Sequence, residues 1–581
     1  MDIDEALEAV NPLGRAQMLT IFVVILANFQ ISFLILSVTF NAEIPPHHCA
    51  LQNGRTLNES IPISDDHYFS SCKEFVNQTV SAETQACSKG WEYDTVLTGK
   101  SITSEWNLVC SQDILRDLSQ TILFCGFSLG SLIAGPIADK YGRKRPTLCF
   151  LALFNIAGIA LAFSPNYATF VSLRFLMGLS WKGVQVPLFT LLFENLLPRH
   201  RPTVGIIPLP VFSLGLVAMS GIAYLVRDWR EFSLIMMTPS VLMMFLSWLL
   251  PESIRWLSSR GKLEKTKSAL LMMAKFNKVD SPQFSLTDKS TKIPIDNSTQ
   301  GVTRNQSPKV NDDSVLQEDK GSDKGQSIVL LQLFKKPTRT VTIILCWLWV
   351  SYTLGYFGFA LTTGTLAGDP YVNFIFSALV ELPARILPIL VVKKTGNLLV
   401  MLCSFGSSGC VMIGVIILRF IIYESGDHGL EWLLTTLALL GKFFATFVFV
   451  SLFLCTTELF PTTVRNSGTG FVQLIGNFGS LSSPLLIYLD KTVYNLPFII
   501  MASFALVAAF LCLFLPETLN MTQPETPADL QKLFETKLFL KNIKRTIQSK
   551  GGDRKSDDSE MTAKTKEGAP SRGNDNLGYE P

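Results

Sequence analysis

Apolar residues along this chain come in long, nearly continuous blocks. Neither the alternation of a half-buried strand nor the one-sided stripe of a surface helix accounts for them. An α-helix needs about 20 apolar residues to cross a bilayer. Twelve blocks reach that length, at about 19–40, 119–138, 147–164, 168–193, 204–225, 232–250, 340–360, 372–392, 398–422, 432–456, 466–488 and 495–515. Gly or Pro interrupts several, which spans tolerate when neighbouring helices satisfy the freed backbone groups. The pattern predicts an all-α membrane protein with twelve transmembrane helices.

Composition agrees. The 581 residues are 48% hydrophobic and 17% charged, with mean hydropathy +0.32, where a soluble chain would carry about 25% charge. The first block follows Asp2, Asp4, Glu5 and Glu8. A secretory signal would need a basic start, a shorter core and a cleavage site, so a retained span is expected. Net charge is only +3, and no basic tract is interleaved with aromatics, which argues against a nucleic-acid partner. The bilayer is the partner implied. Short loops carry Lys140, Arg143, Lys144, Arg145, Arg199, Arg201, Lys393, Lys394 and Arg465 on one face. The positive-inside rule makes that face cytoplasmic. The organisation expected is a cytoplasmic N-terminus (1–18), a six-helix half (19–250), a cytoplasmic loop (251–339), a second six-helix half (340–516) and a cytoplasmic, mostly disordered tail (517–581).

The loop at 41–118 falls on the outer face and holds Cys49, Cys72, Cys87 and Cys110. Four cysteines in an oxidising compartment imply two disulfides, and three pairings are open. Asn58 and Asn77 sit in glycosylation sequons on that face; those at Asn297, Asn305 and Asn520 face the other way and are discounted. The stretch 254–276 is amphipathic. Residues 276–326 are rich in Ser, Thr, Asn, Asp and Lys, as a flexible insertion would be.

The chain repeats itself. Glu194 and Arg201 in "ENLLPRHR" return as Glu458 and Arg465 in "ELFPTTVR", 264 residues later, and "LLPES" at 249–253 returns as "FLPET" at 514–518, 265 later. Two matches at one spacing indicate a six-plus-six duplication, as in transporters built from related halves. "GPIADKYGRKR" (135–145) then resembles the loop signature of the major facilitator superfamily. "SEWNLVC", "AFSPNY", "GLVAMSGIAY", "LLPESIRWL", "SALVELPA" and "ELFPTTVRNSG" resemble the solute carrier 22 family, and "GLSWKG" in span four its organic cation branch. The resemblance implies a major facilitator fold at the plasma membrane, with a substrate cavity between the halves and alternating access by rocking. It implies gating roles for Asp139, Arg143 and Lys144, to which Glu194, Arg201, Glu458 and Arg465 add a wider ionic set. In the second half, "VVKKTGNLL" has lost the acid and one arginine, so an asymmetric or weaker gate is expected there.

Charges at membrane depth are functional candidates by default. Lys182, Glu381, Arg385 and Lys442 lie near mid-span. Glu381 and Arg385 are four apart and share a helix face; the two lysines have no acid nearby in sequence. By resemblance, Asn477 stands where cation transporters carry an aspartate, and Arg385 matches a basic residue of the anion transporters. Three positive charges against one favour organic anions or zwitterions, whereas the branch resemblance favours a cation uniporter. Tyr352, Tyr356, Phe357, Phe447 and Phe449 are candidates to stack on substrate, with Gln185 and Asn477 as neutral hydrogen-bonding groups. All five histidines lie in loops, so no mid-membrane histidine relay is expected. No nucleotide loop, catalytic constellation, cofactor motif or metal set is present in the sequence. Facilitated diffusion or exchange of small organic ions is the simplest reading. A non-transporting receptor or chaperone is the rival class, motivated by the altered second loop and the missing span-eleven acid.

Overall fold

The structure, a computed structural model, describes residues 3–51, 56–63, 69–76, 83–95, 99–279, 333–362, 369–425, 428–461, 464–519, 524 and 527–537. The twelve long helices are α1 (Arg15–Leu36), α2 (Asp113–Tyr141), α3 (Lys144–Ala162), α4 (Tyr167–Glu194), α5 (Leu209–Leu225), α6 (Trp229–Leu249), α7 (Thr338–Thr362), α8 (Pro370–Thr395), α9 (Asn397–Ser425), α10 (Glu431–Leu459), α11 (Arg465–Leu489) and α12 (Leu496–Cys512). Eleven of these apolar segments are long enough to cross a membrane, and α12 is a shorter apolar helix. Each lies where a hydrophobic block predicted it. One departure is α6, which is two helices broken at Met237.

Local chemistry sets the ends. Asn166 caps α4 by accepting from the Thr169 N–H, and Asp369 caps α8 by accepting from Tyr371 and Val372 before a proline at the first turn. α2 and α8 both stop at a glycine with positive φ, Gly142 at +99° and Gly396 at +91°, a conformation that costs other residues more. Just beyond, Glu252 accepts from the N–H groups of Arg143 and Lys144, and Glu517 accepts from those of Asn397 and Leu398. The duplication read from the sequence is therefore also a duplication of capping bonds.

Helices associate in a membrane without a hydrophobic drive between them, so small residues that allow close approach matter most. α2 and α4 cross through Gly126, Gly130 and Gly178, whose Cα atoms face bare backbone carbonyls of the partner helix. Gly215 of α5 packs on Phe29 and Ser32 of α1, and Gly479 of α11 packs on Val350 and Thr353 of α7. These two glycines are again 264 apart.

The loop between α1 and α2 carries disulfides Cys49–Cys87 and Cys72–Cys110, one of the three open pairings, and two short antiparallel strand pairs. Asn58 is exposed on it; Asn77 lies outside the described residues. At the opposite end, helix Ile3–Ala9 packs on the helices Ile254–Ser259 and Leu263–Asn277. Arg255 pairs there with Asp4, and Asn277 receives the Ala16 N–H at the start of α1. The amphipathic stretch thus buries its apolar side against the chain's own N-terminus. Of the polar insertion at 276–326, residues 280–326 lie outside the described residues.

The halves meet along α2 with α11 and α5 with α8. Their polar links run from the disulfide-loop end to mid-depth. Asp113 pairs with Lys491, Thr121 donates to the Leu481 carbonyl at 3.3 Å, Ser220 to the Tyr371 carbonyl at 3.0 Å, and the Tyr371 hydroxyl to Glu43 at 3.0 Å. Phe40 stacks on Tyr371. The molecule is closed at the loop end.

Candidate functional site

Mid-depth on α8, Glu381 is 0% exposed and sits at the seam between the halves. Its two carboxylate oxygens serve different partners. Oε1 accepts from Lys442 Nζ at 2.9 Å and from the Tyr356 hydroxyl at 3.0 Å. Oε2 accepts from Arg385 Nη2 at 3.0 Å and from Ser213 Oγ of the other half at 3.3 Å. Arg385 Nε in turn donates to Ser213 Oγ at 3.0 Å, and Lys442 Nζ donates to Ser377 Oγ at 2.5 Å. Arg385 also lies over the rings of Phe212, Tyr356 and Phe449 at 4.6, 6.0 and 5.9 Å.

The packing supplies Lys442 with the acid that its neighbours in sequence lack. α8 and α10 pack side by side, and the contact brings its ammonium onto Glu381, 61 residues away in sequence. The cluster is also packed rather than open, with Lys442 at 1% and Arg385 at 5% exposure. One carboxylate therefore offsets two cations, and the group keeps a net charge of +1.

Lys182 is set differently. Half-buried on α4, it donates to Gln185 Oε1 at 2.9 Å, one turn along the helix, and lies 5.5 Å from the Phe127 ring. Among the described residues no carboxylate pairs with it. A row of rings connects this lysine to the buried triad. Phe127 packs on Phe124 at 5.9 Å, Phe124 on Phe357 across the seam at 4.8 Å, and Phe357 on Tyr356 at 5.1 Å. Tyr352 and Phe449 pack beside it at 5.4 Å. Asn477 is half-buried at mid-depth on α11, where its backbone carbonyl accepts from the Ser480 hydroxyl.

Two features were missed by sequence reasoning. Ser213 and Phe212 complete the triad from the first half, and nothing in "PVFSLGL" marks them. Arg174 is a further buried charge, on α4 two turns from the loop end; "SLRFLMG" interrupts an apolar block with a basic residue, so the signal was there.

At the end away from the disulfide loop, Arg143 forms the ionic centre of the first half. Its guanidinium grips Glu194 through two bonds of 3.0 and 2.9 Å and donates to Asp139 at 2.7 Å. The Lys144 ammonium donates to the Trp248 carbonyl. Arg201 and Arg465 each donate to a backbone carbonyl. A two-pronged guanidinium occupies Glu194, so Arg201 Nε donates to the Leu196 carbonyl at 3.3 Å; Arg465 Nε donates to the Phe460 carbonyl, also at 3.3 Å. In the second half Asn397 stands at the position of Arg143 and donates Nδ2 to Glu458 at 2.8 Å. The altered loop signature keeps the bond and loses the charge.

Comparison with known proteins settles the family. A family profile described as "Sugar (and other) transporter" matches residues 67–530. Mouse solute carrier family 22 member 3 is 31% identical over 81% of this chain and 79% of its own length, and human organic cation/carnitine transporter 2 is 30% identical over 90% and 93%. The chain belongs to the solute carrier 22 family. Human solute carrier family 22 member 13, 29% identical, spans 91% of this chain and 93% of its own. Among solved structures, the inward-open xylose transporter XylE from E. coli superposes with TM-score 0.53 at 14% identity, covering 89% of this chain and 98% of that one. That likeness concerns the fold, which is the twelve-helix major facilitator fold. As a member of this family the chain is a multi-pass membrane transporter and not an enzyme.

Proposed function

We propose that this protein carries amphiphilic organic ions across the plasma membrane by alternating access, as a facilitator or exchanger, and prefers anions or zwitterions. Both termini and the 251–339 segment face the cytoplasm in this scheme, as the basic loops require. The observation that carries the polarity is the pairing at Glu381. The acid found near mid-membrane among the described residues is already held by two cations, which leaves Lys182 and one unit of the triad's charge for a visiting anion. The ring row between them suits the flat apolar body of an amphiphile, with Lys182 and Gln185 at one end and the triad at the other. The relatives include proteins named for organic cations and for carnitine, in keeping with organic ions as a class.

A cation uniporter would need a free carboxylate facing the path. Glu381 offers none while Arg385 and Lys442 hold it, and Asn477 supplies no charge. Uptake into injected oocytes tests the proposal with a panel of small aromatic carboxylates, zwitterions and quaternary ammonium compounds. Carboxylates or zwitterions are expected to enter, and Lys182→Gln to weaken their uptake about tenfold, the worth of one hydrogen bond to a charged group. Arg385→Ala is expected to abolish anion uptake, and Asn477→Asp to raise that of the ammonium probes. Uptake confined to ammonium probes would reverse the polarity. Silence across the whole panel would favour a receptor or chaperone.

A further inference from the structure

A second cavity with polar side chains in its wall lies within the first half, outside the Glu381 triad. α1, α3, α4 and α6 surround a cavity of about 30 Å³ whose polar lining is Gln30, Ser37, Asn41, Arg174 and Ser233. Such a space admits a water or a monatomic ion and excludes an organic substrate. Three of these side chains carry a buried atom with no hydrogen-bond partner: Gln30 Oε1, Asn41 Oδ1 and Arg174 Nε. All three residues are nearly inaccessible, at 1%, 3% and 3% exposure.

Arg174 is held on one side. Its Nη2 donates to Gln120 Oε1 at 2.6 Å, and Gln120 Nε2 donates to the Ile35 carbonyl at 2.8 Å. Its guanidinium lies 5.7 Å from the Phe170 ring. Trp106, Phe170 and Trp229 pack against one another towards the loop end, with centroids 5.4 to 5.7 Å apart. Among the described residues no carboxylate pairs with Arg174.

A guanidinium does not give up its proton inside a protein, and a buried charge without a partner is strongly unfavourable. Water in the cavity would satisfy the orphaned hydrogen-bonding atoms but would leave the charge. The two amides can serve an anion, since a half-turn of the terminal torsion exchanges C=O for N–H. Asn41 Nδ2 now donates to Ser233 Oγ at 3.4 Å, a bond the serine hydroxyl can return to the amide oxygen once the amide turns. We propose that this cavity binds a small inorganic anion of halide size, held by Arg174, Gln30 and Asn41 as a counter-ion apart from the substrate path. The anion ties α1 to α4 beside the break in α6.

Heat unfolding of the purified full-length protein tests this, with sodium chloride exchanged for sodium gluconate at constant ionic strength. The midpoint is expected to rise with chloride and saturate, because a ligand of the folded state stabilises it by mass action. Bromide should replace chloride. Arg174→Gln should remove the response, and Gln30→Met should raise the half-saturating chloride about tenfold, as loss of one hydrogen bond to a charged group does. If Arg174→Gln does not fold, the Gln30→Met shift decides. A midpoint that ignores the identity of the anion, or a chloride response unchanged by Gln30→Met, overturns the proposal.

Discussion

Glu381 is the residue on which the centre of the molecule depends. Two cations and two hydroxyls meet its carboxylate at a place with no access to water. Taking charges out of water is costly, and only this arrangement of mutual attraction and hydrogen bonds offsets it. Glu381→Gln is isosteric but leaves Arg385 and Lys442 buried as unopposed like charges. It is expected to cost about 3–5 kcal/mol of stability, seen as a lower thermal midpoint of the purified protein; a midpoint within a degree of the parent would show that the triad is relaxed by water. The sequence revealed half of this. The spacing of Glu381 and Arg385 announced one pair, but the second partner came from another helix, and no sequence distance could have reported it.

At the scale of elements, the crossing of α2 with α4 rests on missing side chains. A Cβ on Gly178 would stand 2.3 Å from the Leu123 carbonyl oxygen, which is backbone and cannot step aside. Gly178→Ala is expected to force the helices apart at a cost of about 1–3 kcal/mol, read as lost expression or a lower unfolding midpoint. Gly221 on α5 is the internal comparison, because a Cβ there meets nothing within 4 Å. Gly221→Ala should be neutral or stabilising by up to about 1 kcal/mol, through helix propensity. Equal effects at the two positions would separate the crossing from glycine packing.

For the whole molecule, the asymmetry between its ends matters most. The polar links described above between the halves lie from mid-depth to the disulfide-loop end, while Arg143 with Glu194 and Asn397 with Glu458 each stay within their own half. Alternating access predicts that the loop-end links break when the molecule opens outward. Glu43→Cys with Tyr371→Cys, in a background lacking the exposed Cys149, Cys403 and Cys410, should be joined by a short bifunctional thiol reagent. Uptake should stop on joining and return when a reducible linker is cleaved. Uptake that continues through a linked seam would show that transport needs no opening there. Asn397 bonds Glu458 without a charge, so under the proposed alternating access the second half is expected to contribute less to closing the far end than the first.

The sequence by itself determined the twelve spans, their division into two related halves, the paired cysteines of the loop and the family, since run length and repeated punctuation are local properties of the chain. It also placed Lys182, Glu381, Arg385 and Lys442 at mid-depth, because position along a span fixes depth. Tertiary structure alone decided which polar groups meet: Lys442 with Glu381, Arg143 with Glu194, Ser213 with Arg385, and Arg174 with no acid among the described residues. Those outcomes depend on which helix faces touch, and the strength of an ionic contact falls so steeply with distance and burial that only the packed arrangement can assign it.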